Sequence, residues 1–279
     1  PGRQQSMGEW HDAIQHGSRR ANPSDTKPIG TGLYGSGFES GSGLKKSNLN
    51  VLALNVRGIM CHGRSEQARL LMIKHKVPIA ILSETETTHT YAKTTHMEGF
   101  RALCPPATVT GPPDKEVGVI MMVSDDLASS SIPRPDINGS DTVQTVWTEF
   151  THLDLIVGGV YRRNRPSQPD LEREEMAQLT NQVLKSAQTG KAVLLLGDLN
   201  LDHSNPDHKK KNEANDLLCA IDAATMRHLP TGVTWKSDGY HKVCKCDAQC
   251  DCPKRQRTAT IDNAYLSNSE STSAMVLED

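Results

Sequence analysis

The 279-residue sequence predicts an α/β fold, a two-sheet β-sandwich flanked by helices. Three observations predict it. From Leu49 onward, short apolar runs of strand length alternate with segments of helical period. Three strand-like runs then follow one another between Val117 and Tyr161, which suits sheets packed face to face rather than a barrel. The apolar fraction of 36% with 23% charged residues supports a packed core.

Residues 1–47 hold nine Gly, seven Ser and three Pro without a sustained period, and read as a flexible Gly/Ser-rich leader. The sequence opens on Pro1 with no apolar segment behind it, so a fragment or processed piece without a secretory signal peptide is expected. Strands are expected at Leu49–Asn55, Ile79–Ser83, Val117–Val123, Val143–Phe150, Leu153–Tyr161, Ala192–Leu199 and Ile261–Leu266. A crossover helix over Ser65–Lys76 places Ala68, Leu71, Met72 and His75 on one face. A longer helix over Asp170–Ala187 buries Met176, Leu179, Val183, Leu184 and Ala187, with Ser167 and Asp170 as its start signal. A third helix is read over Lys211–Ile221. Residues 236–260, rich in Lys, Asp and Cys, form an aperiodic insertion before the last visible strand. No internal repeat is present.

Charge narrows the partners. With 33 acidic and 31 basic side chains the net charge is −2, so a polyanion can be bound only by a local cluster. Aromatic residues make up 4%, too few for a platform that stacks single-stranded bases. No apolar run reaches the roughly 20 residues of a membrane span, so no membrane partner is expected. Seven cysteines, four of them clustered, are too few for a disulfide scaffold and fit a reduced, intracellular setting. Cys61, Cys104 and Cys219 read as buried or incidental thiols.

The chemistry-bearing residues gather at strand ends. Gly197-Asp198-Leu199-Asn200 follows a buried run; its Asp and Asn, two apart, point the same way, one to orient water and the other to bind a phosphate oxygen. Ile81-Leu82-Ser83-Glu84-Thr85 delivers a carboxylate suited to a hard cation, although spacing alone leaves Glu84 and Glu86 as alternatives. Leu54-Asn55-Val56-Arg57-Gly58 ends the first strand with an amide and a cation. Tyr161 is followed by Arg162, Arg163 and Arg165, the densest positive cluster and a candidate phosphate clamp. Asp262 interrupts an otherwise apolar strand, where it needs a His or a metal as partner. Asp202, His203, Asp207 and His208, next to Pro206 and three lysines, read as a solvated loop rather than metal ligands.

In this order the motifs LNVRG, LSET, VYRRN, GDLN and TIDNAYLS resemble the endonuclease/exonuclease/phosphatase superfamily over roughly residues 48–279. NVRG and YR look most like the apurinic/apyrimidinic-endonuclease-like domain of a non-LTR retrotransposon. The resemblance implies a DNase I-like four-layer α/β sandwich and Mg²⁺- or Mn²⁺-dependent phosphodiester hydrolysis. It makes Glu84 the metal ligand, with Asn55 helping to hold the metal or the phosphate. Asp198 would position the attacking water, Asn200 and Tyr161 would contact the scissile phosphate, and Asp262 would orient a catalytic His. Arg57 stands where many repair enzymes carry an additional Asp. The family's closing Ser-Asp-His falls about two dozen residues after Asp262, beyond Asp279, so a truncated C-terminal strand and a nearly inactive fragment are expected.

Cys244, Cys246, Cys250 and Cys252 form two Cys-x-Cys pairs with His241 nearby, a possible Zn²⁺ site. Lys254, Arg255 and Arg257 follow, which would set a basic loop beside DNA. The function expected is a DNA endonuclease that nicks a target strand for retrotransposition, in the nucleus, with a downstream reverse transcriptase domain as partner. The alternatives are a phosphatase or phosphodiesterase of the same superfamily and a catalytically dead nucleic-acid-binding remnant.

Overall fold

The apolar runs pair into two mixed six-stranded sheets and one short ribbon. The computed structural model describes residues 32–36, 49–60, 63–95, 97–105, 116–138, 143–163, 167–201, 212–229, 235–236, 258–259, 262–267 and 273–277. The strands are β1 (Gly32–Ser36), β2 (Val51–Asn55), β3 (Ile79–Thr88), β4 (Phe100–Leu103), β5 (Glu116–Ser124), β6 (Ser131–Pro133) and β7 (Gln144–Phe150). They continue with β8 (Leu155–Tyr161), β9 (Ala192–Asp198), β10 (Met226–Leu229), β11 (Trp235–Lys236), β12 (Thr258–Ala259), β13 (Asp262–Ser267) and β14 (Ser273–Leu277). The helices are α1 (Arg64–Lys74), α2 (His89–Thr94), α3 (Asp125–Ala128), α4 (Pro135–Asn138), α5 (Pro169–Ala187) and α6 (Asn212–Ala223).

The first sheet runs β14-β1-β2-β3-β5-β4 and the second β10-β13-β9-β8-β7-β6. Alternation along each strand builds the layers. Val51 and Ala53 of β2 face the second sheet with Ile79, Ile81, Val119 and Met121, against Val157, Leu194 and Leu196. The intervening Leu52 and Leu54 face outward onto Ala68 and Met72 of α1. On the far side, Ile156, Val193 and Leu195 pack under Met176, Leu179 and Val183 of α5 and Leu217 and Ile221 of α6. Three apolar layers therefore separate four layers of secondary structure. Gln182 fastens α5 to its sheet, accepting from Trp147 Nε1 and Thr145 Oγ1, both at 2.8 Å, and donating to the Asn138 carbonyl at 2.5 Å.

Several expectations need correction. Residues 32–36 of the expected leader form β1, which pairs on both sides, with β14 and β2; backbone pairing needs no side-chain period. The remainder of 1–47 lies outside the described residues, apart from those five. The Ile261–Leu266 strand is not the last, because β14 follows it. Ser167 does not cap α5; Gln168 precedes Pro169 at its first turn. Leu184, expected on the apolar face, is 37% exposed. The predicted 153–161 strand begins only at Leu155, since Thr151–Leu153 make a 3₁₀ turn that ends in Asp154 at φ 49°. Of the 236–260 insertion, only the ends are described: Lys236 pairs with Thr258 in the β11–β12 ribbon.

Candidate active site

In the second sheet the ends of β8 and β9 lie level with the start of β13. Parallel pairing sets Tyr161 beside Asp198, and antiparallel pairing sets Asp262 on the other side of Asp198. The position of Asp262 comes from its backbone register. In the first sheet Asn55 pairs with Ser83, one residue before Glu84. The strands β2 and β3 pack against β9, and β3 also against β8, across the sheet interface.

Strand β3 does not end at Ser83 but continues through an irregularity, with its register on β5 shifting between Ser83 and Thr87. Glu84 at φ 50° and Glu86 at φ 46° both take left-handed backbone, unusual for Glu and typical of a bulge that re-aims side chains. Thr85 between them is fully buried and donates to the Val117 carbonyl at 2.6 Å. Glu84 is half-buried and Glu86 exposed. The loop after β2 is laced to this bulge: Val56, Gly58 and Ile59 N–H groups donate to the carbonyls of Ser83, Glu84 and Thr85 at 3.0, 2.7 and 2.9 Å. Asn55 Oδ1 accepts from the Arg57 N–H at 3.2 Å, which fixes the amide at the strand end.

Asp198 is fully buried at the end of β9. Its Oδ1 accepts from the Asn200 N–H at 2.9 Å, and Asn200 turns at φ 48°, a conformation Asn tolerates. Gly197 is obligatory just before it: φ is 135° and an added Cβ would stand 3.1 Å from Val160 N and closer still to Val160 O. The Asn200 Nδ2 donates to the Arg162 carbonyl at 2.6 Å.

Tyr161 is 8% exposed. Its ring lies over Gly118, where a Cβ would stand 2.5 Å from Cε1. Gln144, its register partner, accepts from the Gly118 N–H and donates to the Glu116 carbonyl at 3.2 Å, bridging the sheets beneath the ring. Burial pushes the phenol above its ordinary value of 10; a hydrogen bond with Arg163 opposes this, while the charges of Glu84 and then Asp198 add to it. The phenol therefore senses one carboxylate from each sheet.

Arg162 corrects the expectation of a phosphate clamp. It is 8% exposed and points inward, with Nε donating to the Leu199 carbonyl at 2.7 Å and Nη2 to that of Asn200 at 2.9 Å. Arg163 points outward, half-exposed, and donates to Glu116 Oε1 at 2.5 Å. The Glu116 and Tyr161 partners hold its guanidinium well above the usual range. Glu116, Gly118, Gln144 and Glu172 escaped the sequence reading; only Gly118, a Gly inside a strand run, carries a visible signal of close approach.

Among the described residues, no group of three or more His, Cys, Asp or Glu side chains is gathered to hold a metal. Magnesium seldom has such a cage, taking one or two carboxylates and completing its shell with water and substrate phosphate. The half-buried Glu84, one residue after the register partner of Asn55, with Asp198 close enough that both charges act on the Tyr161 phenol, fits that use. Cys244, Cys246, Cys250, Cys252, His241, Lys254, Arg255, Arg257, Arg165, Asp202, His203, Asp207, His208 and Cys61 lie outside the described residues. Cys219 is an exposed free thiol rather than a buried one, and Cys104 is partly buried.

A model of the Endonuclease/Exonuclease/phosphatase family matches residues 52–272. The chain belongs to this family. Solved structures agree in fold. LMAP, an AP endonuclease from Leishmania major, aligns at TM-score 0.56 and 11% identity, over 90% of this chain and 83% of that one. NExo, a 3′ phosphatase from Neisseria bound to a product DNA hairpin, aligns at TM-score 0.50 and 18% identity, over 78% and 86%. The endonuclease domain of TRAS1, a telomere-specific non-LTR retrotransposon, aligns at TM-score 0.49 and 14% identity, over 78% and 84%. At these identities the first two show the fold alone. Among curated proteins no significant match is found. The family fold is the expected sandwich, two mixed sheets with flanking helices. Among the described residues no helix is long and apolar enough to cross a membrane.

Proposed function

We propose that this chain is a Mg²⁺- or Mn²⁺-dependent DNA endonuclease that nicks a target strand. The observation that carries this reading is the buried Asp198, paired in register between Tyr161 and Asp262, with the Tyr161 phenol feeling both its charge and that of Glu84 from the other sheet. Glu84 and Asn55 are the residues that would hold the metal, which when bound supplies positive charge to the phosphate oxygens. Asp198, anchored through Oδ1, orients the attacking water and accepts its proton. The Tyr161 phenol, its pKa raised, stays protonated at neutral pH and donates to a phosphate oxygen. Asn200 contacts the same group, Asp262 orients a histidine, and the half-exposed Arg163 meets the polymer backbone by exchanging Glu116 for phosphate.

The NVRG and YR motifs support the finer reading, in which the nick frees a 3′ hydroxyl for a downstream reverse transcriptase domain acting in the nucleus. The cysteine cluster is proposed to bind Zn²⁺ and to hold Lys254, Arg255 and Arg257 beside DNA; purified protein without zinc would remove this part.

The test is nicking of supercoiled plasmid in Mg²⁺ against EDTA, by this chain and by a form extended through the closing Ser-Asp-His strand, each beside its Asp198→Ala variant and a parallel assay on inositol phosphates. Metal-dependent nicking lost in the variant supports the proposal. Turnover of inositol phosphates without nicking would replace it with the phosphatase reading, and metal-independent DNA binding without either reaction with the binding remnant.

A further inference from the structure

We infer that Arg162 is the positioning residue of the Asp198–Asn200 turn, steered from outside the sheet by Glu172 of α5. Three consecutive carbonyls accept from this one residue: Asp198 from its backbone N–H at 2.8 Å, Leu199 from Nε at 2.7 Å and Asn200 from Nη2 at 2.9 Å. The Asn200 side chain returns a bond to the Arg162 carbonyl at 2.6 Å, closing a ring around the turn. Glu172 Oε1 lies 3.8 Å from the remaining nitrogen, Nη1. Because Gln182 fixes α5 to β7, Glu172 holds a defined place at the start of that helix.

A planar fork is needed here. Two carbonyls one residue apart take two divergent N–H groups, which a guanidinium presents rigidly and an ammonium does not. Burial lowers the guanidinium's affinity for its proton, and the charges of Glu172, Glu175 and Asp198 offset part of that loss. The cation thus neutralises the inner side of the turn while its bonds keep Asn200 in left-handed backbone. The division of labour follows from exposure: Arg162 shapes the turn and Arg163 meets the polymer.

The inference rests on the endonuclease reading for its kinetic test but not for its structural one. Arg162→Lys, Arg162→Met, Glu172→Gln and Arg163→Ala are compared with the unaltered chain in three measurements. In plasmid nicking, Arg162→Lys lowers kcat by about 10²-fold with KM nearly constant, the size expected for a catalytic group misplaced by about 1 Å. Glu172→Gln gives a smaller loss of the same kind. In DNA binding with Ca²⁺ in place of Mg²⁺, the salt slope is unchanged in Arg162→Lys and falls by about one contact in Arg163→Ala. In hydrogen exchange, amides of residues 199–201 speed up by roughly tenfold in Arg162→Lys while β7 stays protected. Should Arg162→Met fail to fold, the Lys and Glu172→Gln variants decide. A salt slope that falls in Arg162→Lys as it does in Arg163→Ala, or unchanged exchange at 199–201, overturns the inference. A chain extended through the family's closing Ser-Asp-His that still nicks no DNA overturns the endonuclease reading, and the exchange result still decides the role of Arg162.

Discussion

Replacing Gly118 by Ala tests the seating of Tyr161 most sharply. An alanine Cβ there would stand 2.5 Å from the ring's Cε1, closer to Cδ1, and 3.0 Å from Gln144 Oε1. Ordinary carbon contacts lie near 3.5 Å, so the ring must retreat by about 1 Å or the sheets must part. Overpacking of this kind costs about 1–3 kcal/mol, a fall of roughly 2–12 °C in Tm for a domain of this size. The displaced phenol also loses part of its burial, so its pKa, now above 10, drops back toward that value. Gly159→Ala is the matched control. Its Cβ would meet Ile81 Cδ1 at 2.8 Å and Cγ2 at 3.0 Å, in the same sheet interface but against side-chain ends that can yield. Thermal denaturation and ultraviolet titration of the tyrosines, run on both variants, check the reasoning. Both should lose stability, and only Gly118→Ala should lower the raised titration of Tyr161, identified as the one that Tyr161→Phe removes, and depress nicking. A Gly118→Ala protein with unchanged Tm and tyrosine titration would refute the placement of the ring.

Other expected outcomes follow from the same structure. Gly197→Ala should destabilise by about 3 kcal/mol or more, because the clash is with Val160 backbone and φ is 135°; urea unfolding measures it. On the endonuclease reading, Tyr161→Phe should reduce nicking by about tenfold or more with little change in Tm, and the unaltered chain should show no loss from this phenol below pH 10, since the group is titrated only above its ordinary value. Glu149 sits between Lys191 at 2.7 Å and Arg134 at 2.9 Å, which hold its carboxyl below the usual range near 4.5, Lys191 foremost. Its contribution is present above that pH and disappears as pH falls through the depressed folded value. Glu149→Gln should therefore lower Tm at pH 7 and leave it unchanged in strong acid, as paired melts at the two pH values would show.

Legibility followed burial. The strands β2, β5, β7, β9 and β13 are apolar on one or both faces, and their runs stand out against the turns around them. β6 is three residues at a sheet edge ending in Pro133, and β10 four residues of mixed character, so neither has a period to read. Gly-rich β1 exists through its two neighbours, which no local pattern reports. At the candidate site, Asp198 and Tyr161 were legible because a polar residue closing a buried strand is conspicuous, and Glu84 because a carboxylate directly after an apolar run is, although the bulge that carries it inside β3 was not. Arg162 and Arg163 could not be told apart, since adjacent residues on a strand end face opposite ways and only the packed sheet decides which one meets solvent.

Each sheet contains one parallel pair joined through a helix: β2–α1–β3 in the first and β8–α5–β9 in the second. Asn55 and Glu84 come from the first of these units, Tyr161 and Asp198 from the second. Each of the two units thus contributes two residues to the proposed site. Neither half carries the proposed site alone, so on the endonuclease reading proposed above cleavage would require both halves packed together and would report directly on their assembly.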